Sequence, residues 1–399
     1  MTLVVNGRVV IKVLLFSALG GECMCAASVS LLLFLSMTIE LFSLFAFIMS
    51  AVLTALMIPQ IIMISFKKRL FDPIDERKVH TGIVPRFGGL AFIPSVLITL
   101  AFLIGVSYLF RENSLLGTFL RPHYAFLLCA FVFLYIEGMT DDLLKLGYKV
   151  KFACQTLCSI ILVGSGFYID NLFGFLGIYE LPLWIAYPFN VVLAVFIINA
   201  VNLIDGIDGL AAGLSMVALL ILGLLFIYMA DAFFAIVSFA TLGTLFPFFL
   251  HNVFGTLKRH NKIFMGDCGS QTLGFILAVL CIHFAMQGTL ASSPLSINAL
   301  VIAFSVVLVP CFDVLRVMVG RIRRGKSPFL PDKSHIHHKL LALGMTHRKA
   351  MMSIVMVAVF FVILNIGLSM IVGITAIVAI DIVLYCLLMR MVSRDNTVA

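Results

Sequence analysis

The residues able to do chemistry in this 399-residue chain sit in five short polar segments. The first is Glu137-Gly-Met-Thr-Asp141-Asp142-Leu-Leu-Lys145. Adjacent carboxylates on a helix point different ways, so one can meet a metal ion while its neighbour meets a cation or a proton. A solvated helix end would carry the same pair, and the segment alone leaves both readings open. The second runs Asn199-Ala-Val-Asn202-Leu-Ile-Asp205-Gly-Ile-Asp208-Gly209. Its spacing of three predicts Asn202, Asp205 and Asp208 on roughly one helical face, with Gly206 and Gly209 permitting close approach of the backbone to a ligand. A purely structural turn would need only one capping Asn or Ser, so this segment reads as functional.

The third segment is Asn252 followed by Phe264-Met-Gly-Asp267-Cys-Gly-Ser270. An aspartate where a helix begins, beside its N-terminal amides and dipole, suits a metal-bound phosphate; a plain N-cap uses the same residue type. The fourth is Ser327-Pro-Phe-Leu-Pro-Asp332-Lys-Ser-His335-Ile-His337-His338-Lys339, with Arg321, Arg323, Arg324 and Lys326 upstream. Clustered His can ligate zinc, but no Cys is nearby and no other His pair has ligand spacing, so these imidazoles are expected to grip phosphate. The fifth is Arg77-Lys78-Val-His80-Thr-Gly-Ile-Val-Pro85-Arg86-Phe-Gly88-Gly89. Basic residues before a Pro and Gly turn can hold an anionic ligand against the membrane surface, or can simply set topology. Asp313 and Arg316, three apart, are a functional or a structural pair.

These segments interrupt a chain that is 62% apolar and 12% charged, with a mean hydropathy of +1.16. That composition excludes a soluble enzyme. Apolar stretches fall at residues 41–66, 88–110, 123–138, 151–169, 183–203, 209–228, 232–250, 268–287, 298–320, 352–370 and 372–391, each near the roughly 20 residues that span a bilayer. The predicted fold is all-α: a polytopic integral membrane protein of about eleven transmembrane helices with its polar segments in cytoplasmic loops. Residues 41–391 form one transmembrane domain and 392–399 a cytoplasmic tail. Residues 1–40 read equally as an extra span, a cleaved signal or the product of a mispredicted start codon.

Lys and Arg settle the expected orientation. Twenty of them fall in residues 67–86, 139–151, 251–266 and 321–349, while the alternate links hold only Arg111 and Arg121. The positive-inside rule places the former loops in the cytoplasm. The net charge of +8 is therefore topological, since there is no basic domain to bind nucleic acid. The nine cysteines show no disulfide or metal-knuckle spacing. Ten carboxylates, Asp72, Asp75, Glu76, Glu137, Asp141, Asp142, Asp205, Asp208, Asp267 and Asp332, share the basic face. Carboxylates gathered at helix ends beside Lys and His can hold a divalent cation and phosphates.

Taken in order, K-x-H-x-G-x-V-P-R-x-G-G from Lys78, T-D-D ending at Asp142, N-x-x-D-G-x-D-G-L-A from Asn202, F-M-G-D-x-G-S around Asp267 and P-D-x-x-H-I-H-H ending at His338 resemble the polyprenyl-phosphate N-acetylhexosamine-1-phosphate transferases. The similarity spans residues 67 to about 350. The H-I-H-H form resembles the undecaprenyl-phosphate N-acetylglucosaminyl-1-phosphate branch rather than the muramoyl-pentapeptide branch, whose loop has three consecutive His.

The resemblance implies transfer of N-acetylglucosamine 1-phosphate from UDP-GlcNAc to undecaprenyl phosphate with Mg²⁺ or Mn²⁺, giving a lipid diphosphosugar and UMP at the start of cell-surface glycan assembly. It implies a bacterial inner-membrane enzyme whose partners are a UDP-N-acetyl amino sugar, undecaprenyl phosphate and the bilayer, with a homodimer as an open possibility. Both substrates are anions, so a cation together with Lys, His and Arg would offset their repulsion. By motif position Asp267 and Asn202 would lie at the metal. Asp141 and Asp142 would orient or deprotonate the lipid phosphate, and Asp205 and Asp208 would hold the nucleotide sugar and the catalytic geometry. Lys78, His80, His335, His337 and His338 would meet its diphosphate, with Asn252 nearby. A covalent phosphosugar and direct attack both remain open, as do GalNAc or FucNAc-type donors and, for a eukaryotic source, dolichyl phosphate as acceptor. An ion-coupled transporter is the competing class, but it would place charges near mid-bilayer, where only Asp313 and Asp381 are candidates.

Overall fold

The computed structural model describes residues 21–70, 84–109, 121–288, 298–328 and 334–394, with a short strand pair at 4–5 and 8–9. Lys78, His80 and Asp332 lie outside the described residues. The helices are α1 (Gly21–Lys68), α2 (Phe92–Leu109), α3 (Pro122–Leu144), α4 (Tyr148–Gly164), α5 (Leu183–Ile204), α6 (Leu210–Tyr228), α7 (Ala232–Phe249), α8 (Gly266–Ala285), α9 (Ala299–Arg323), α10 (Ile336–Ala342), α11 (His347–Ser369) and α12 (Ile374–Arg394). Every apolar stretch read from the sequence is one of these helices, and α10 is a short helix within the basic loop. Among the described residues nine helices are long and apolar enough to cross a membrane. The remaining two long ones are α3, whose last turns carry Glu137, Asp141 and Asp142, and the 17-residue α4.

α1 is one continuous helix of 48 residues, so the boundary expected near residue 40 lies inside it. At about 1.5 Å per residue it far exceeds a bilayer core of about 30 Å, and its apolar span is Ile39–Lys68. The multi-pass membrane setting explains the outer surface: Leu41, Leu56, Ile160, Val192 and Ile363 are exposed where lipid would cover them. An antiparallel hairpin, β1 (Asn171–Phe175) and β2 (Ile178–Glu180), connects α4 to α5. It was not anticipated, because two strands of five and three residues carry too little alternation to register as a pattern. It is tied to the start of α12 by the Leu176 amide, which donates to Thr375 Oγ1 at 2.7 Å.

α8 is the central element. Nearly all its residues are buried, and α3, α5, α6 and α9 pack around it. Because chain direction alternates from helix to helix, the C-terminal ends of α3, α5 and α9 and the N-terminal ends of α4, α6 and α8 meet at one end of the bundle. The Gly88-Gly89 segment joins them: Gly88 N donates to Phe264 O at 2.9 Å, Gly89 N to Met265 O at 2.8 Å, and Phe264 N to Pro85 O at 2.8 Å. Two motifs about 175 residues apart in the chain are thereby laid side by side.

Candidate active site

The site grows outward from the first turn of α8. Asp267 is the second residue of that helix, and its amide and that of Cys268 donate to Asp142 Oδ1 and Oδ2 at 2.8 and 3.0 Å. The capping oxygens therefore come from α3, and Asp267 itself is not the N-cap. Gly266 makes this joint possible. Its φ is +78°, and an added Cβ would meet the Arg86 carbonyl and the Asp142 carboxylate.

With the cap supplied by Asp142, the Asp267 carboxylate turns outward. Asn202 Nδ2 donates to its Oδ1 at 2.8 Å and to Ser270 Oγ at 2.7 Å. Lys151 Nζ stands 3.3 Å from Asp267 Oδ2 and 2.5 Å from Asp141 Oδ2. Asp141 Oδ1 accepts from the Leu146 amide at 2.8 Å, which closes the end of α3. The adjacent pair thus points two ways, Asp141 to an ammonium and Asp142 to the α8 amides, where a metal ion for one and a cation or a proton for the other had been expected. Behind them Asn199 Nδ2 donates to Gln155 Oε1 at 2.6 Å and Gln155 Nε2 to Gln271 Oε1 at 2.8 Å, locking α4, α5 and α8 together.

The Asp205–Asp208 segment corrects one expectation. α5 ends at Ile204, so Asn202, Asp205 and Asp208 do not share a helical face. The chain leaves the helix because glycines follow, Gly209 at φ +77°. Asn202 stays on the helix and reaches Asp267, whereas Asp208 Oδ2 accepts from Lys262 Nζ at 2.6 Å. Asn252 braces this turn: its Oδ1 accepts from the Gly209 amide at 2.6 Å and its Nδ2 donates to Ile263 O at 2.8 Å. Both ends of its amide are therefore committed to holding backbone. Asp205 is half-buried among carboxylates. Burial pushes its carboxyl up to about 7; Arg86 opposes the shift, and Asp267, Asp208 and Asp142 add to it.

The His segment closes over this turn. An added Cβ on Gly206 would meet the His337 ring, so that imidazole lies directly on the Asp205-Gly206 backbone. His337 is 2% exposed, and burial, followed by the neighbouring His338 and His335, pushes it down to about 3. It is a neutral donor or acceptor, not a cationic clamp. The ring of His335 stacks near that of His337, with centroids 5.8 Å apart and planes at 11°, and the His338 ring is tilted 46° to that of His337 at 4.3 Å.

The donor set suits a hard divalent cation. Asp267, Asp141, Asn202 and Ser270 offer oxygen at the α8 start, Cys268 turns its Sγ to the Tyr135 carbonyl, and Asp141 and Asp267 share one ammonium. Glu137, one turn before Asp141, is 6% exposed with neither carboxylate oxygen hydrogen-bonded. Among the described residues no three His, Cys, Asp or Glu side chains close a cage. Mg²⁺ does not require one, since it usually takes one or two carboxylates and completes its shell with water and substrate phosphate oxygens.

Two contributors escaped the sequence reading: Lys151 and Lys262 are indistinguishable there from topogenic lysines. The Asp313-Arg316 pair, which the sequence left open as functional or structural, holds the His segment, with His335 Nδ1 2.8 Å from Asp313 Oδ2.

The chain is similar to known proteins. A family model described as glycosyl transferase family 4 matches residues 124–285, from α3 through α8. The chain is 34% identical over 330 residues, 81% of its length and 82% of the relative's, to the undecaprenyl-phosphate alpha-N-acetylglucosaminyl 1-phosphate transferase of Yersinia pestis. It is 32% identical over 73% of its length to the protein of that name in Escherichia coli K12, covering 74% of it. It is 33% identical over 79% of its length to the probable undecaprenyl-phosphate N-acetylglucosaminyl 1-phosphate transferase of Bacillus subtilis, covering 82% of it.

Proposed function

We propose, from the premise that this chain belongs to glycosyl transferase family 4, that it transfers N-acetylglucosamine 1-phosphate from UDP-GlcNAc to undecaprenyl phosphate. The products are undecaprenyl diphosphate-linked N-acetylglucosamine and UMP. In the sum of the reaction one P–O bond to UMP breaks and one to the lipid phosphate forms. The observation that carries this reading is the Asp267 carboxylate at the mouth of the central helix, held by Asn202 and flanked by Lys151 and Asp141. The Lys and Arg bias supports a cytoplasmic setting for this end of the bundle, where UDP-sugars are found, and the bacterial relatives support an inner membrane as the chain's location.

Each group has a defined task. Asp267, with Asn202 orienting it and Asp141 alongside, would hold Mg²⁺ or Mn²⁺. When bound, the ion neutralises diphosphate oxygens and so lowers the repulsion between two anionic substrates. Lys151 and Arg86 place fixed positive charge at the same point, and the α8 dipole adds to it. The Asp205–Asp208 turn, steadied by Lys262 and Asn252, faces the nucleotide sugar with the His segment over it. Because Asp142 is committed to the α8 amides and Asp141 to Lys151, the proton of the lipid phosphate, expected from the sequence to go to one of them, is assigned instead to Asp205, whose carboxyl is pushed up to about 7 at the edge of the same site.

The test is UMP release by the purified chain in detergent, with and without undecaprenyl phosphate and Mg²⁺, using UDP-GlcNAc and UDP-GalNAc. Release that needs lipid and metal and prefers UDP-GlcNAc is the expected result. No release from either donor would overturn the proposal, and a preference for UDP-GalNAc would change the sugar.

A further inference from the structure

α9 grips the His segment at both ends. Arg321 Nη1 donates to Pro328 O at 2.6 Å, and Arg316 Nη2 donates to Ser334 O at 2.6 Å and to Asp313 Oδ1 at 2.7 Å. Asp313 is fully buried. Its carboxylate also accepts from His335 Nδ1 at 2.8 Å, from the Ile336 amide at the start of α10 at 3.1 Å, and from the Tyr385 hydroxyl of α12 at 3.4 Å. A loop could be anchored by a neutral Asn or Ser at far lower desolvation cost than a buried carboxylate. A carboxylate does one thing that these cannot: it only accepts, so the facing Nδ1 must carry the proton, and the ring's tautomer and orientation follow.

We propose that Asp313 is a positioning residue for the transfer reaction. It fixes His335 with Nδ1–H on the carboxylate and Nε2 as the ring nitrogen left to the donor substrate, accepting from a hydroxyl there or donating to a phosphate oxygen when it also carries a proton, and it pins the stacked His335 and His337 rings over the Asp205–Asp208 turn. This rests on the reading above, in which that turn and the His segment receive the donor diphosphate. The connection is physical at each step: Asp313 to His335, His335 stacked on His337, His337 on Gly206. Arg316 balances the buried charge and holds the residue just before His335.

The test uses the full chain in detergent with the substitutions Asp313→Asn, His335→Asn and both together. Asp313→Asn keeps the shape but offers Nδ1 an amide whose donor and acceptor roles are no longer fixed. Its expected effect is a rise of about tenfold or more in KM for UDP-GlcNAc, with KM for undecaprenyl phosphate unchanged. In the His335→Asn background the same substitution is expected to add less than about twofold, because the two residues act as one unit. Effects that multiply, or a fall in kcat with both KM values unchanged, would overturn the proposal. If the unsubstituted chain releases no UMP, the functional reading fails on its own, and the anchor is decided by trypsin. Cleavage after Lys326 and Lys333 that is several-fold faster in Asp313→Asn supports the anchor, and unchanged cleavage overturns it.

Discussion

The carboxylate of Asp142 and the backbone of Asp267 form the joint of the acidic face: Asp142 Oδ1 accepts the Asp267 amide at 2.8 Å, and its Oδ2 accepts the next amide at 3.0 Å. One aspartate thereby satisfies the exposed amides of α8, and another on that helix is left to face outward. Cap and ligand duties, which look interchangeable in a run of aspartates, fall to different residues.

Replacing Asp142 by Asn tests that division. An amide can accept through one atom only, so one α8 amide loses its partner and the charge opposite the helix dipole disappears. The expected cost is about 1–2 kcal/mol of stability. Activity is expected to fall roughly a hundredfold, because Asp267 is displaced from Asn202 and Lys151. A thermal melt and UMP release on the same preparation check both. Full turnover in Asp142→Asn would mean that the cap does not set Asp267.

Asp205 predicts a pH profile. A carboxyl near 7 is protonated below that pH and cannot accept a proton, so kcat/KM is expected to fall about tenfold per unit below pH 6 and to level off above 7. Stability runs the other way. The folded-state value lies above the unfolded one, so the contribution is fully present below about pH 4 and is lost as pH rises through about 7. Asp205→Asn should therefore raise the melting temperature more at pH 8 than at pH 5, while removing turnover. A flat activity profile between pH 5 and 8 would exclude Asp205 as the proton acceptor.

The spans were legible because a bilayer imposes length and hydropathy on every helix, and the acidic clusters were legible because carboxylates are costly in so apolar a chain. What joins the clusters was not. Lys151 lies in a basic link that orientation already accounts for, yet it bridges Asp141 and Asp267 across more than a hundred residues. Asp313 and Arg316 look like an ordinary i,i+3 pair until His335, 22 residues later, folds back on them. The spacing of Asn202, Asp205 and Asp208 suggested a helix face, but local periodicity cannot show that glycines end the helix between them. Long-range partners follow from packing around α8, which no local pattern records.

Lys262 was hidden in the same way, and it supports a prediction of its own. Its ammonium is 2.6 Å from Asp208 Oδ2 and lies over the Phe264 ring, 5.8 Å from its centroid. Lys262→Met keeps most of the apolar stem and removes the charge, leaving Asp208 beside Asp205 without its counter-ion. Repulsion between the two carboxylates should open the turn, and KM for UDP-GlcNAc should rise roughly tenfold with KM for undecaprenyl phosphate unchanged. Steady-state kinetics with each substrate varied in turn separates the two. A rise in the lipid KM alone would move Asp208 to the acceptor side.

Gly206 gives the sharpest steric test. The His337 ring occupies the space a Cβ would need, and that ring is buried and neutral, so it cannot swing into solvent without breaking its stack with His335 and its contact with the tilted His338 ring. Gly206→Ala must therefore displace either the His segment or the Asp205 turn. If the His segment moves, the donor loses its imidazole contacts and kcat/KM for UDP-GlcNAc is expected to fall about a hundredfold, with metal dependence unchanged. If the turn moves instead, Asp205 shifts against Asp267 and the Mg²⁺ concentration for half-maximal rate rises as well. Mg²⁺ titration of the variant separates these outcomes, and the first is expected, because the Gly209 amide is fastened to Asn252 at 2.6 Å and holds the turn in place. Wild-type kinetics in Gly206→Ala would show that His337 does not rest on the turn during catalysis.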